Sequence, residues 1–133
     1  MSEVKPTTIH SGASVFLVKD VVQSAAYYRD ALGFEYERFW GEPPSFCMVW
    51  RDRQCFMLAQ VENPELIRPV STIVPAVWDA YLWVGSLDEI YAELEQRGAG
   101  IKYEPVVKPY GVKEFAVFDL DGYQIAFGED LGG

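Results

Sequence analysis

"SVFLVKDVVQSAAYYRDALGF", Ser14 to Phe34, and "DAYLWVGSLDEIYAELEQRGA", Asp79 to Ala99, follow one plan. Each opens on a short apolar strand ending in Val, at Val18 and at Val84. A helix N-cap comes next, Asp20 in the first copy and Ser86 in the second, with Gln23 and Glu89 three residues on. A capping residue followed at that distance by Glu or Gln is the reciprocal arrangement that starts a helix. Each helix then runs into a glycine, Gly33 or Gly98, suited to the left-handed residue that ends one. The caps lie 66 residues apart and the glycines 65, so the chain is read as two copies of one structural unit.

Three strand-like runs follow each helix. In the first copy they are "FEYERFW", "SFCMVW" and "CFMLAQ", broken by "GEPP" and "RDRQ". In the second they are "IKYEPVV", "EFAVF" and "YQIAFG", broken by "KPYG" and "DLDG", which carry good turn chemistry. Each half therefore reads β-α-β-β-β. The expected architecture is α+β, with tandem βαβββ modules forming a curved mixed sheet around a cleft and each helix covering one sheet face. The whole chain, 1–133, is read as one domain. Its first module spans 12–60 and its second 77–130. The linker 61–76 holds three prolines and no clear periodicity.

Composition narrows the function. Half of the 133 residues are hydrophobic and 15% are aromatic, enough for a sizeable core and unlike a disordered chain. The net charge of −9 disfavours nucleic acid and anionic membranes as partners and is compatible with a cationic ligand. "MSEVKPTTIHSG" has no apolar core or cleavage pattern of a secretory signal, and no apolar run is long enough to span a membrane. A cytoplasmic protein is expected, with Cys47 and Cys55 as reduced thiols facing each other across a hairpin.

Strand alternation gives a candidate lining. Asp79, Tyr81 and Trp83 share one strand face, and Gln124 and Ala126 share another on the last strand. Cys55, Met57 and Ala59 join them from the first half. Loops add Phe39 and Trp40 before "GEPP" and Tyr110 before Gly111. Core packing is the competing reading for each aromatic, least so for Tyr110 in its turn. Of Tyr27 and Tyr28, at least one is read as core.

The wording of "LVKDVVQSAAYYRDALGF" and "YGVKEFAVFDLDGYQIAF" resembles the vicinal oxygen chelate superfamily, which includes glyoxalase I, extradiol dioxygenases and bleomycin-resistance proteins. "AYLWVGSLDEIYAELEQ" and "PYGVKEFAVFD" are most similar to the bleomycin-resistance members. The resemblance implies a divalent cation held by His and Glu side chains on four strands. By register those positions are Ala13, Met57, Asp79 and Ala126, of which only Asp79 is a good ligand. The single histidine, His10, is displaced by an odd number of residues from the first position. No metal, no cofactor and no catalytic residue is therefore expected.

The expected function is a metal-free protein that sequesters a planar, cationic antibiotic or metabolite. Its expected ligand-binding residues are Trp40, Met57, Asp79, Tyr81, Trp83, Tyr110 and Gln124. The Tyr110 role, stacking on the ligand, is implied by the resemblance. So is a homodimer whose N-terminal arm, around Pro6 and from Lys5 to Gly12, crosses to its partner. A metal-dependent glyoxalase- or dioxygenase-like enzyme on the same fold is the alternative, and an interaction module without a small ligand is a third reading.

Overall fold

The computed structural model describes residues 3–132; the first two residues and the last of the expected 1–133 unit lie outside them. Two copies of one β-α-β-β-β unit are present. The first comprises β1 (Ala13–Val18), α1 (Val21–Asp30), β2 (Phe39–Trp40), β3 (Phe46–Arg51) and β4 (Gln54–Gln60). The second comprises β5 (Ala80–Trp83), α2 (Leu87–Arg97), β6 (Gly100–Lys108), β7 (Val112–Phe118) and β8 (Gln124–Asp130). Between them the linker makes two single-turn 3-10 helices, Pro64–Leu66 and Val70–Thr72.

Each unit folds into its own four-stranded mixed sheet, ordered β1-β4-β3-β2 and β5-β8-β7-β6. The first strand of each unit runs parallel to the last, and the remaining pairs are antiparallel. The fold is thus the α+β tandem, with its sheet in two halves.

The helices start as their capping residues require. Asp20 accepts from the N–H groups of Val22 and Gln23, and Ser86 from that of Glu89. The expected reciprocal bonds from Gln23 and Glu89 back to the caps are not formed; an additional bond instead reaches the first amide of each helix from a distant strand. The first helical amide, at Val21, donates to Gln60 Oε1 at 2.8 Å, and its counterpart at Leu87 donates to Glu129 Oε1 at 2.7 Å. In both units the last strand therefore caps the unit's own helix. Gly98 ends α2 at φ 86°, a conformation costly for a residue with a Cβ.

One hydrophobic core serves both units. Phe16, Val49, Phe56 and Leu58 enter it from the first sheet, and Phe115, Val117, Ile125 and Phe127 from the second. Tyr28, Leu32, Leu87 and Leu94 fill it from the two helices and the turn after α1. Hydrogen bonds cross between units at its rim: Tyr28 donates to Asp119 Oδ2 at 2.7 Å, and Tyr123 to the Leu17 carbonyl at 2.8 Å. Arg51 closes the opposite end, donating to Glu93 and to the Leu32 carbonyl. Because the inner faces share this core, the other face of each sheet points away from it.

Two expectations are corrected. "FEYERFW" is largely irregular, with only Phe39–Trp40 in a strand and one further bridge from Glu35 to Trp50. It lies at a sheet edge, where only one neighbour supplies ladder partners. The cysteines do not face each other. Cys47 is opposite Leu58 on the core face, while Cys55 is opposite Trp50 on the other. The register of the β3–β4 pair puts them on opposite faces. Tyr28 is fully buried, as expected for one of the helical tyrosines.

Candidate functional site

The outward face of the second sheet carries a trough-like row of small residues, with Ala116 and Ala126 buried beneath aromatic side chains. Across the strands, Tyr81 lies opposite Ala126, Ala126 opposite Ala116, and Ala116 opposite Tyr103. In the adjacent row Trp83 lies opposite Gly128, and Gly128 opposite Glu114. Aromatic side chains on the outer strands lean inward over this floor. A Cβ added at Gly128 would overlap the Tyr81 ring, so the glycine makes room for Tyr81 to reach across.

The rings converge on Glu114, whose exposure is 0%. Tyr81 donates to Glu114 Oε1 at 2.9 Å and Tyr110 to the same oxygen at 2.7 Å. Tyr103 donates to Oε2 at 2.5 Å, and its hydroxyl accepts from Trp78 Nε1 at 3.0 Å. Three phenols thus surround one carboxylate, and an indole bonds to one of those phenols. Burial, reinforced by the bond to Glu114, pushes the Tyr110 hydroxyl up to about 12 and those of Tyr81 and Tyr103 higher still. At neutral pH these phenols stay protonated: they donate to Glu114 and cannot serve as general bases. Two rings face outward, with Trp83 64% and Tyr110 56% exposed. Trp83 packs against Tyr81, which packs against Trp78, with ring centroids 4.9 and 4.8 Å apart.

Five of the seven expected ligand-binding residues belong to this region. Tyr81, Trp83 and Tyr110 form its aromatic wall. Asp79 immediately precedes β5, and both its oxygens are engaged by backbone: Oδ1 accepts from Val70 N–H at 2.6 Å and Oδ2 from Gln124 N–H at 2.8 Å. Its carboxylate ties the linker to β8. Gln124 is buried and accepts from Lys102 Nζ at 2.6 Å. The remaining two, Trp40 and Met57, are on the first sheet. Trp40 lies under the Arg38 guanidinium, 4.5 Å from ring centroid to carbon, and Met57 pairs with Val15 and Met48. A single chain does not bring these two to the trough.

Sequence reasoning missed Glu114, Tyr103 and Trp78. A signal for Glu114 was present: a carboxylate amid the apolar run "EFAVF", in alternation with Ala116 and Phe118. Beside Trp83, between β5, α2 and the β3–β4 turn, lies a further cleft of about 480 Å³. Phe34, Leu82, Ile90 and Phe127 line it, with Arg51 and Arg53 also on its wall.

The family model for the glyoxalase/bleomycin resistance protein/dioxygenase superfamily matches residues 10–127. The chain belongs to this superfamily. No curated protein matches it. Among solved structures it is similar to the bleomycin-binding protein of bleomycin-producing Streptomyces verticillus, complexed with copper(II)-bleomycin. The TM-score is 0.66 and the identity 20%, over 96% of this chain and 100% of that one. It is also similar to TnmS3, an antibiotic binding protein from Streptomyces sp. CB03234, with TM-score 0.71 and 18% identity over 95% and 99% of the two chains. A glyoxalase-related enzyme from Clostridium phytofermentans gives TM-score 0.72 and 15% identity over 96% and 99%. At these identities the likeness establishes the fold alone.

For a glyoxalase-superfamily member, the donor set does not fit a divalent cation. Ala13 and Ala126 have no donor atoms, Met57 offers a thioether, and Asp79 is already engaged by two backbone amides. Ala126 instead forms trough floor beneath the tyrosines. Among the described residues, no group of three or more His, Cys, Asp or Glu side chains is placed to hold a metal ion. None of the described helices is long and apolar enough to cross a membrane.

Proposed function

We propose that this protein is a metal-free binder of the bleomycin-resistance type, sequestering a planar, cationic antibiotic or metabolite. The observation that carries this reading is the trough on the second sheet, where exposed aromatic rings surround a buried carboxylate. Flat ligands stack on such rings, and cations are drawn to their faces. Trp83 and Tyr110 supply the stacking surfaces, Tyr81 is anchored between them and the floor, and Asp79 and Gln124 hold the end of the trough in shape.

Trp40 and Met57 join the ligand from a second copy. In the symmetric homodimer we propose, the outward face of one chain's first sheet covers the trough of the other. The exposed apolar residues Val15 and Trp50 on that face support this arrangement, as does the extended, exposed stretch from Lys5 to Gly12, which would serve as the crossing arm. The same proposal puts the protein in the cytoplasm, with no role in binding nucleic acid or membrane.

Titration with bleomycin, followed by tryptophan emission, tests this reading. A saturable change whose midpoint rises with ionic strength is expected, because the attraction of an acidic chain for a cation is screened by salt. No change with bleomycin or with other basic aromatic drugs would remove the sequestration reading. Metal that survives dialysis in stoichiometric amount, and is lost on replacing Asp79, would favour the enzyme alternative.

A further inference from the structure

Glu114 is a fully buried carboxylate with no cationic partner. None of the ion pairs among the described residues includes it. Its basic neighbours are turned elsewhere: Lys113 to Asp88 at 2.9 Å, Lys102 to Gln124, and Lys108 to the ring of Tyr103, 5.5 Å from the centroid. Three phenol hydroxyls satisfy its hydrogen bonding but bring no positive charge. A buried charge that is solvated but not neutralised is costly to keep in a fold. It also projects a field into the adjoining trough, where screening is weaker than in bulk water.

Resting on the reading of the trough as a ligand site, we propose that Glu114 is the counter-charge that selects the ligand, and that the ligand's cationic group is a quaternary ammonium or an N-alkylated heteroaromatic ring. The phenols separate the carboxylate from the trough, so the cation lies on the ring faces and feels the charge through them. A carboxylate offers about four acceptor sites, and three here are filled by tyrosines. A primary ammonium, which brings three donors, would find too few acceptors over this surface. A cation with no N–H group gives up little hydration, demands no acceptor and gains directly from the rings. Glu114 is therefore a specificity-determining residue that acts through Tyr81, Tyr103 and Tyr110 without touching the ligand.

The test uses the full chain and three probes: benzyltrimethylammonium, its neutral isostere 2,2-dimethylpropylbenzene, and benzylammonium. Tryptophan emission reads binding. The wild type should prefer benzyltrimethylammonium to the neutral isostere by about tenfold, and benzylammonium should bind less well than its trimethyl analogue. Glu114→Gln should remove the preference for charge, bringing the ratio of the charged and neutral probes' affinities to about one whatever happens to the two affinities themselves. Tyr81→Phe, which retains the carboxylate, should keep the preference. Should Glu114→Gln fail to fold, the wild-type order of the three probes and the Tyr81→Phe result decide. Equal binding of the charged and neutral probes overturns this inference and leaves the trough as a binding site. So does a preference that persists in Glu114→Gln. Saturable bleomycin binding with no response to any of the three probes overturns it too. Silence of the tryptophans toward bleomycin and all three probes removes the underlying site reading as well.

Discussion

Two carboxyl groups, Glu114 and Asp119, are buried in different ways. Asp119 sits in the "DLDG" turn, where its Oδ1 accepts from the N–H groups of Asp121 and Tyr123 and its Oδ2 from Tyr28. Burial nonetheless prevails and pushes this carboxyl up to about 6, against the pull of the Tyr28 and backbone bonds and with a further push from Asp121. The folded value lies above the unfolded one, near 3.9, so the folded chain binds the extra proton between the two. The contribution to stability is complete below about pH 4 and is lost as pH rises through about 6, on the order of 2–3 kcal/mol. Asp119→Asn should remove that slope. Denaturant melts of both proteins at pH 4 and 7 check it, and parallel profiles would show that Asp119 does not titrate in this window. Tyr110 provides the second residue-level expectation. Tyr110→Phe should lower the melting temperature slightly, because a buried carboxylate loses one of three donors, yet retain ligand affinity through its ring. Tyr110→Ala should lose affinity. If Tyr110→Ala unfolds the protein, Tyr110 belongs to the core and the trough has been misassigned.

At the level of elements, the recurrent device is a last strand that caps its own helix. Glu129 brings a carboxylate to the N-terminus of α2, where backbone N–H groups and the helix dipole favour negative charge. Glu129→Ala should cost about 1–2 kcal/mol in chemical denaturation, and Glu129→Gln should recover most of that by retaining the acceptor. If the alanine and glutamine variants are equally unstable, charge rather than hydrogen bonding is what matters there. The close approach of β5 and β8 invites another substitution. Gly128→Ala would drive the Tyr81 ring off the floor and break its bond to Glu114. Because the displaced atoms are the far end of one side chain, stability should fall little while ligand binding is lost. Affinity and melting temperature measured together separate these effects, and an unchanged affinity would mean that Tyr81 takes no part in the site.

Across the whole molecule, two sheets share one core and turn their other faces outward. The two outward faces differ in chemistry. The first is apolar, with Val15 and Trp50 exposed, and the second holds the aromatic trough. Contact between unlike faces of two copies would bury the first and roof the second, and a two-fold axis makes that contact twice. Val15→Glu should therefore shift the protein from dimer to monomer in light scattering and weaken ligand binding although it lies on the sheet without the trough. A wild-type chain that is monomeric at micromolar concentration would rule out this assembly.

Much of this was legible in the local sequence. Caps and turn residues act over a few positions, so Asp20, Ser86 and Gly98 mark helix ends where the structure has them, whereas Gly33 is left-handed but lies two residues beyond Ala31, the C-cap of α1. Alternation likewise predicted that Tyr81 and Trp83 share a face. Its limit was strand pairing, which depends on residues distant in the chain. Register decided that Cys47 and Cys55 lie on opposite faces, and tertiary packing decided that Asp79 is engaged by the amides of Val70 and Gln124. Register also set Glu114 beside Gly128, so that phenols from two strands and a turn could reach one carboxylate. Their positions, Tyr81, Tyr103 and Tyr110, show no common spacing in the sequence. Only the folded sheet makes them neighbours, because lateral pairing joins residues that the chain keeps far apart.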